Sequence, residues 1–202
     1  DWGATAAGTR TGTATSVTST GDEDMAIGYV SLFAEAHLLD TGLRAGINYV
    51  PYSLESETTN NDRNDNCSGG ENIQSTTCTK VSTTVQVDIE DMVMMYIAYH
   101  HQIENPFVSS VFIKAGVMEA DVITNEKVGS GSSYGNTTLK GEFIGVGAEK
   151  MMEGGFFIRG EGNVTQFNDI SVKNTNSSEN NNTISITGLD GATATISVGK
   201  TF

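Results

Sequence analysis

The chain has 202 residues and a formal net charge of -14, from 25 acidic against 11 basic side chains. That length allows one domain or two small ones, and the acidic balance excludes a nucleic-acid binder, whose affinity rests on Lys and Arg. With 37% hydrophobic residues, 23 Gly, only 2 Pro and abundant Thr, Ser and Asn, the composition is that of β-strands joined by polar turns.

Taken from the N-terminus, a start at Asp1 without an initiator Met suits a mature chain whose signal peptide has been removed. Alternation with a period of two then dominates and predicts eight strands, at 2–17, 25–38, 42–56, 80–100, 107–126, 137–151, 156–173 and 183–202. The first has small residues on both faces and Arg10 in its middle, so residues 1–24 are the weakest part, either a first strand or an N-terminal arm. In the third, Leu43, Ala45, Ile47 and Tyr49 oppose Arg44, Gly46 and Asn48; in the fifth, Val111, Ile113, Ala115 and Val117 oppose Ser110, Lys114 and Gly116. The seventh sorts Phe156, Ile158, Gly160 and Val164 from Arg159, Glu161 and Asn163, and the last sorts Ala192, Ala194, Ile196 and Val198 from Thr193, Thr195 and Ser197. A helical period of 3.6 would mix these faces.

The connectors alternate in length. Those at LLDTG, HQIENP and MEGG are tight, and those at 19–24, 58–79, 128–135 and 174–182 are longer and polar. Short turns on one rim, long loops on the other and both termini at the short-turn rim describe an up-and-down barrel of the outer-membrane type. Several strands exceed the usual 5–6 residues and reach the roughly 9–11 that cross a bilayer. The expected fold is therefore all-β: a single up-and-down antiparallel transmembrane β-barrel of about eight strands over residues 1–202, with short periplasmic turns and longer extracellular loops. Asp91 and Glu142 fall on its lipid-facing side, where a β-bulge at Asp91 is one way to turn the first inward.

Cys67 and Cys78 are the only cysteines and share the polar stretch NDNCSGGENIQSTTC. Without a nearby His or a second Cys pair they lack the four ligands of a zinc site. A disulfide closing a surface loop is the expectation; it contributes roughly 3 kcal/mol on a loop-entropy argument and places the chain in an oxidising compartment.

The chain ends at Phe202, and Val198, Ile196 and Ala194 share its face. This resembles the C-terminal assembly signal of bacterial outer-membrane barrels, departing from it at Lys200, where an aromatic often stands. The segment FIGVGAEKMMEGGFFIRGEGNVTQF also resembles the strand–turn–strand of small OmpA-, OmpX- and OmpW-like barrels. The resemblance implies a bacterial outer-membrane location with loops exposed to the exterior. It implies outer-membrane lipid, lipopolysaccharide and the barrel-assembly machinery as partners, with an extracellular ligand or phage at the long loops.

Candidate chemistry is sparse. Arg44, Lys114, Glu149, Arg159 and Glu161 point to the expected interior, as a polar path or, since eight strands leave an interior filled by side chains, as an ion-paired plug. Otherwise the interior positions are mostly polar. His37, His100 and His101 lie near the short-turn rim with Glu35 and Glu104, as rim residues rather than a metal or general-base site; adjacent His100 and His101 face opposite sides. The acidic runs at 21–24 and 60–65 lack EF-hand spacing and are expected in solvated outer loops. Tyr96, Tyr99, Phe107, Phe156 and Phe202 are expected at a membrane interface. No cofactor, metal or catalytic residue is assigned. The expected role is non-enzymatic: envelope structure, surface interaction or restricted passage of small solutes. The alternatives are a lipid-modifying barrel enzyme, a soluble barrel for a small apolar ligand, and a secreted surface β-protein.

Overall fold

A computed structural model describes residues 2–11, 19–38, 41–56, 59–68, 77–127, 134–173, 175 and 183–202, with side chains at 28–38, 41–56, 86–125, 134–173, 175 and 185–202. The protein is all-β. Its strands are β1 (Trp2–Thr11), β2 (Ser19–Ile27), β3 (Leu32–Leu38), β4 (Leu43–Tyr49), β5 (Leu54–Glu55) and β6 (Thr59–Ser68). They continue as β7 (Thr77–Gln102), β8 (Ser110–Lys127), β9 (Thr137–Met151), β10 (Phe156–Phe167), β11 (Ile170–Lys173) and β12 (Thr183–Lys200).

One antiparallel sheet runs in the order β2-β1-β12-β10-β9-β8-β7-β4-β3, with β5 and β6 on β7 and β11 on β12. The strands joined by the tight turns, β3–β4, β7–β8 and β9–β10, pair with one another. Gly42 (φ 82°) closes the β3–β4 turn, where the Thr41 hydroxyl donates to the Leu38 carbonyl at 3.0 Å. Gly154 and Gly155, both with positive φ, close the β9–β10 turn. The ladder does not close on itself: its edges are β2 and β3, which follow one another in the chain across residues 28–31.

Several expectations need correction. The stretches expected as long loops at 19–24 and 58–79 are largely extended: Ser19–Ile27 pairs with β1, and β6 pairs with the start of β7 to form a hairpin. The acidic runs at 21–24 and 60–65 thus sit in strands, where paired backbone satisfies more hydrogen bonds than a solvated loop; their side chains, like that of Arg10, lie outside the described residues. The side chains of Cys67 and Cys78 lie outside them too. The N-terminal strand does not start at the short-turn rim, because Trp2 pairs with Thr193, well short of Lys200.

The sheet is strongly curled. Five strand steps separate β3 from β10, which in a flat sheet would be about 24 Å at ~4.8 Å per step. Yet Glu35 on β3 bonds Arg159 on β10 at 2.6 Å. The face turned into this curl contains two layers. Toward the long connectors lies an apolar cluster that includes Val50, Ile89, Met92, Met118, Phe143 and Phe167. Toward the tight turns lies a layer of charge. The expectation of a mostly polar interior therefore holds for one layer only: local alternation does not reveal that inward Met and Phe residues of different strands share a level.

A bulge in β7 lies within the apolar layer. The register shifts between Glu90 and Val93, with Asp91 at φ 49°. Below it Met92, Met94, Tyr96, Ala98 and His100 are buried; above it Asp88 and Ile89 are both buried, with Ile89 in the apolar cluster. Asp91 itself stays exposed, its carboxylate accepting from the Tyr49 hydroxyl at 3.3 Å, so the bulge does not turn it inward.

Candidate functional site: a buried ionic layer

The charged layer is built by alternation on five strands. Arg159 on β10 is 2% exposed and sits between two carboxylates. Its Nη1 and Nη2 meet Glu35 Oε1 and Oε2 at 2.6 and 2.8 Å, a two-pronged pair. Its Nη2 and Nε meet Glu149 Oε2 at 2.7 and 3.1 Å. A planar guanidinium suits this geometry, since its fork matches carboxylates edge-on. Arg44 on β4 adds a second cation, with Nη1 3.3 Å from Glu35 Oε2 and 3.5 Å from Glu149 Oε2. The Tyr96 hydroxyl donates to Glu35 Oε1 at 2.8 Å. The Arg159 guanidinium also lies 5.0–5.3 Å from the rings of Phe112, Phe157 and Phe33, so aromatic faces take the space that water would otherwise occupy.

A second pair lies beside it. Lys114 Nζ on β8 meets Glu161 Oε1 on β10 at 2.5 Å, with the ammonium 4.8 Å from the Tyr96 ring and 5.5 Å from that of Phe143. Asn163 extends the contact toward Thr193 on β12 at 3.2 Å. Arg44, Lys114 and Arg159 are thus matched by Glu35, Glu149 and Glu161, all with side chains under a tenth exposed. Burying a charge is costly unless it is paired, and the layer meets that condition by balancing itself.

Glycines make room for the rings. A Cβ at Gly46, Gly147 or Gly199 would lie 2.2–2.3 Å from the ring of Tyr96, Phe112 or Phe157 respectively. Each is a cross-strand partner of that aromatic. An aromatic folded over a facing glycine covers exposed backbone and pins the register.

The five charged residues assigned inward by alternation are all in this layer, but its centre is a residue the sequence did not single out. Glu35 had been noted only as a neighbour of the rim histidines. The available signal was LFAEAHL, where Glu35 and Phe33 alternate against Leu32, Ala34 and Ala36. Tyr96 was expected at a membrane interface and is instead buried; Tyr99, three residues away and so of opposite parity, is exposed. His100 was expected at the rim and is 3% exposed, stacked on Phe112 at 4.7 Å, with no hydrogen-bond partner for either ring nitrogen among the described residues. His37 and His101 are exposed. Among the described residues no group of three or more His, Cys, Asp or Glu could hold a metal ion.

The opposite face of the same strands is apolar and exposed. One row of register partners reads Ala36, Ala45, Ile97, Ala115, Ile144, Val164 and Ala192. The next reads Leu38, Leu43, Tyr99, Ile113, Val146, Gly162 and Ala194. Ile113 is 63% and Ile196 83% exposed, and Val198 and Phe202 continue the surface toward the tight-turn rim. Exposed charges flank this band, the Lys140–Glu119 pair at 2.9 Å on one side and Lys150, bound to the Pro106 carbonyl, on the other. No protein-family model, curated protein or solved structure matches the chain, so its functional reading rests on this geometry.

Proposed function

We propose that the protein is an integral outer-membrane β-barrel in which β2 and β3 act as one interrupted strand, so that chain continuity brings the two sheet edges together. The carrying observation is the inversion of polarity across the sheet. Arginine, lysine and glutamate are buried inside, while rows of Ile, Val, Ala and Leu stand exposed on seven adjoining strands. A soluble protein rarely leaves so continuous an apolar surface to water. In hydrocarbon it is the favourable arrangement, provided that the sheet closes through β2 and β3, since only helices and closed barrels satisfy their backbone within a bilayer.

The role that fits this barrel is non-enzymatic. The described buried carboxylates of its charged layer are taken up by cations, and the one unpartnered imidazole there, His100, is closed off from solvent and stacked on Phe112. The apolar layer stacked on it leaves a filled interior. Envelope structure, or surface interaction through the β6–β7 hairpin and the other long connectors, fits such a plugged barrel better than solute passage does. Lipopolysaccharide and outer-membrane lipid are the neighbours of the belt. Ala194, Ile196 and Val198, exposed on one face of β12, and Phe202 just beyond its end, are the residues offered to an assembly machinery.

The test is physical. Purified protein is expected to need detergent for solubility and, on dilution into lipid vesicles, to float with them and resist added protease over β7–β12. A chain that stays monomeric in buffer without detergent and ignores vesicles would overturn the membrane reading.

A further inference from the structure

His100 stands at the tight-turn end of the charged layer and is its one titratable side chain without a partner among the described residues. Alternation on β7 turns it inward with Tyr96 and Ala98. Its backbone N–H donates to the Gly42 carbonyl at 2.9 Å, beside the β3–β4 turn. The ring stacks on Phe112, its cross-strand partner, with the two planes 18° from parallel. Arg44 Nε and Ser110 Oγ, on the two adjoining strands, are likewise buried and unpartnered among the described residues.

Charge acts on the ring from four strands: Glu35 on β3, Arg44 on β4, Glu149 on β9 and Arg159 on β10. From β8 it meets Phe112 and, one step along, Ser110, neither of them charged. Lys114 and Glu161 are paired with each other, and the Tyr96 hydroxyl is spent on Glu35.

We propose that His100 is an acid-sensitive latch on this layer: neutral, it packs as one more ring and the interior stays closed; protonated, it opens the layer to water. As a gate for ions it rests on the barrel reading above. The carboxylates are already committed. Glu35 takes two nitrogens of Arg159, one of Arg44 and the Tyr96 hydroxyl. Glu149 takes two nitrogens of Arg159 and lies 3.5 Å from Arg44. Three cations meet three carboxylates, so a fourth cation finds no anion of its own. An imidazolium also has two N–H groups to place. Of the unpartnered atoms beside it Ser110 Oγ can accept one, and a hydroxyl brings no charge.

A buried charge without a counter-ion is costly, and hydration relieves that cost. In the wetted, open form the imidazole takes a proton at its ordinary value of about 6.5. A proton taken up by the open form alone favours that form as pH falls below about 6.5, on the order of 10-fold between pH 7 and pH 5.

The full chain is compared as wild type, as His100→Phe, which keeps the stack, and as His100→Gln, which keeps a neutral polar group. In planar bilayers the open probability of the wild type is expected to rise on the order of 10-fold from pH 7 to pH 5, and that of either variant to stay unchanged. Urea midpoints of the same vesicle-folded samples give a second reading: the wild type should lose ground to both variants as acid is added. An equal response in wild type and variants would assign it to the carboxylates, and no response in the wild type by either measure would make His100 an inert core residue; each overturns the latch. If one variant fails to fold, the other makes the same comparison. Failure of the barrel reading shows separately, as absence of vesicle flotation, and the midpoint comparison in buffer then decides the latch alone.

Discussion

Arg159 carries more of the buried layer than any other residue, because it alone bonds both Glu35 and Glu149 through two nitrogens each. Arg159→Ala leaves two buried carboxylates with Arg44 as their one described cation, at 3.3 and 3.5 Å, and the Tyr96 hydroxyl on Glu35. Breaking a buried pair costs about 3–5 kcal/mol, and a loss of that size in the urea midpoint of vesicle-folded protein is expected. Arg159→Lys should recover only part of it, since an ammonium cannot present the same fork to two carboxylates. The exposed Lys140–Glu119 pair has a comparable 2.9 Å contact but lies 59% exposed on both sides. Its removal is expected to cost about 0–1 kcal/mol. Equal effects at the two sites would mean that the interior is wet and the charges screened.

At the scale of strands, the outer belt and the β6–β7 hairpin make separate demands. Ile113 sits mid-row between Tyr99 and Val146, so on the membrane reading we propose, Ile113→Arg puts a charge near the bilayer midplane and is expected to cost about 2–4 kcal/mol. An unchanged midpoint with an unchanged slope would remove Ile113 from the lipid face. In the hairpin, Ser68 pairs with Thr77 and Asp65 with Thr79, with a register shift between. Cys67 and Cys78 both fall within that shift, on facing strands, and a disulfide between them remains our proposal. Intact-mass measurement of unreduced protein is expected to find no alkylatable thiol, and reduction should speed exchange in the hairpin without disturbing the β8–β9 ladder. Two free thiols in freshly isolated protein would exclude the bond.

For the molecule as a whole, an apolar layer and a charge-balanced layer lie in series on the inner face of the curled sheet, so an ion crossing the barrel we propose meets both. Purified wild-type protein is therefore expected to show little steady conductance in a planar bilayer, with openings more frequent in Arg159→Ala, where the ionic layer loses its central cation. A large constant conductance from the wild type, unaltered by that substitution, would mean a water-filled lumen and would favour solute passage as the role.

The sequence by itself determined the all-β class, the approximate course of the longer strands and the inward or outward face of the residues it sorted at 43–49, 110–117, 156–164 and 192–198. These depend on a two-residue period, which is local and survives without knowledge of neighbours. It also exposed Arg44, Lys114, Glu149, Arg159 and Glu161 as charges set among apolar alternation. Only the tertiary structure decided which of them meet, because alternation assigns a side and not a partner: Glu35 and Arg159 are 124 residues apart. Tertiary structure likewise decided that inward Met and Phe residues gather at one level and that the polar runs at 19–24 and 60–65 pair as strands. Each of these depends on register and curl, which are properties of the assembled sheet and of no single segment.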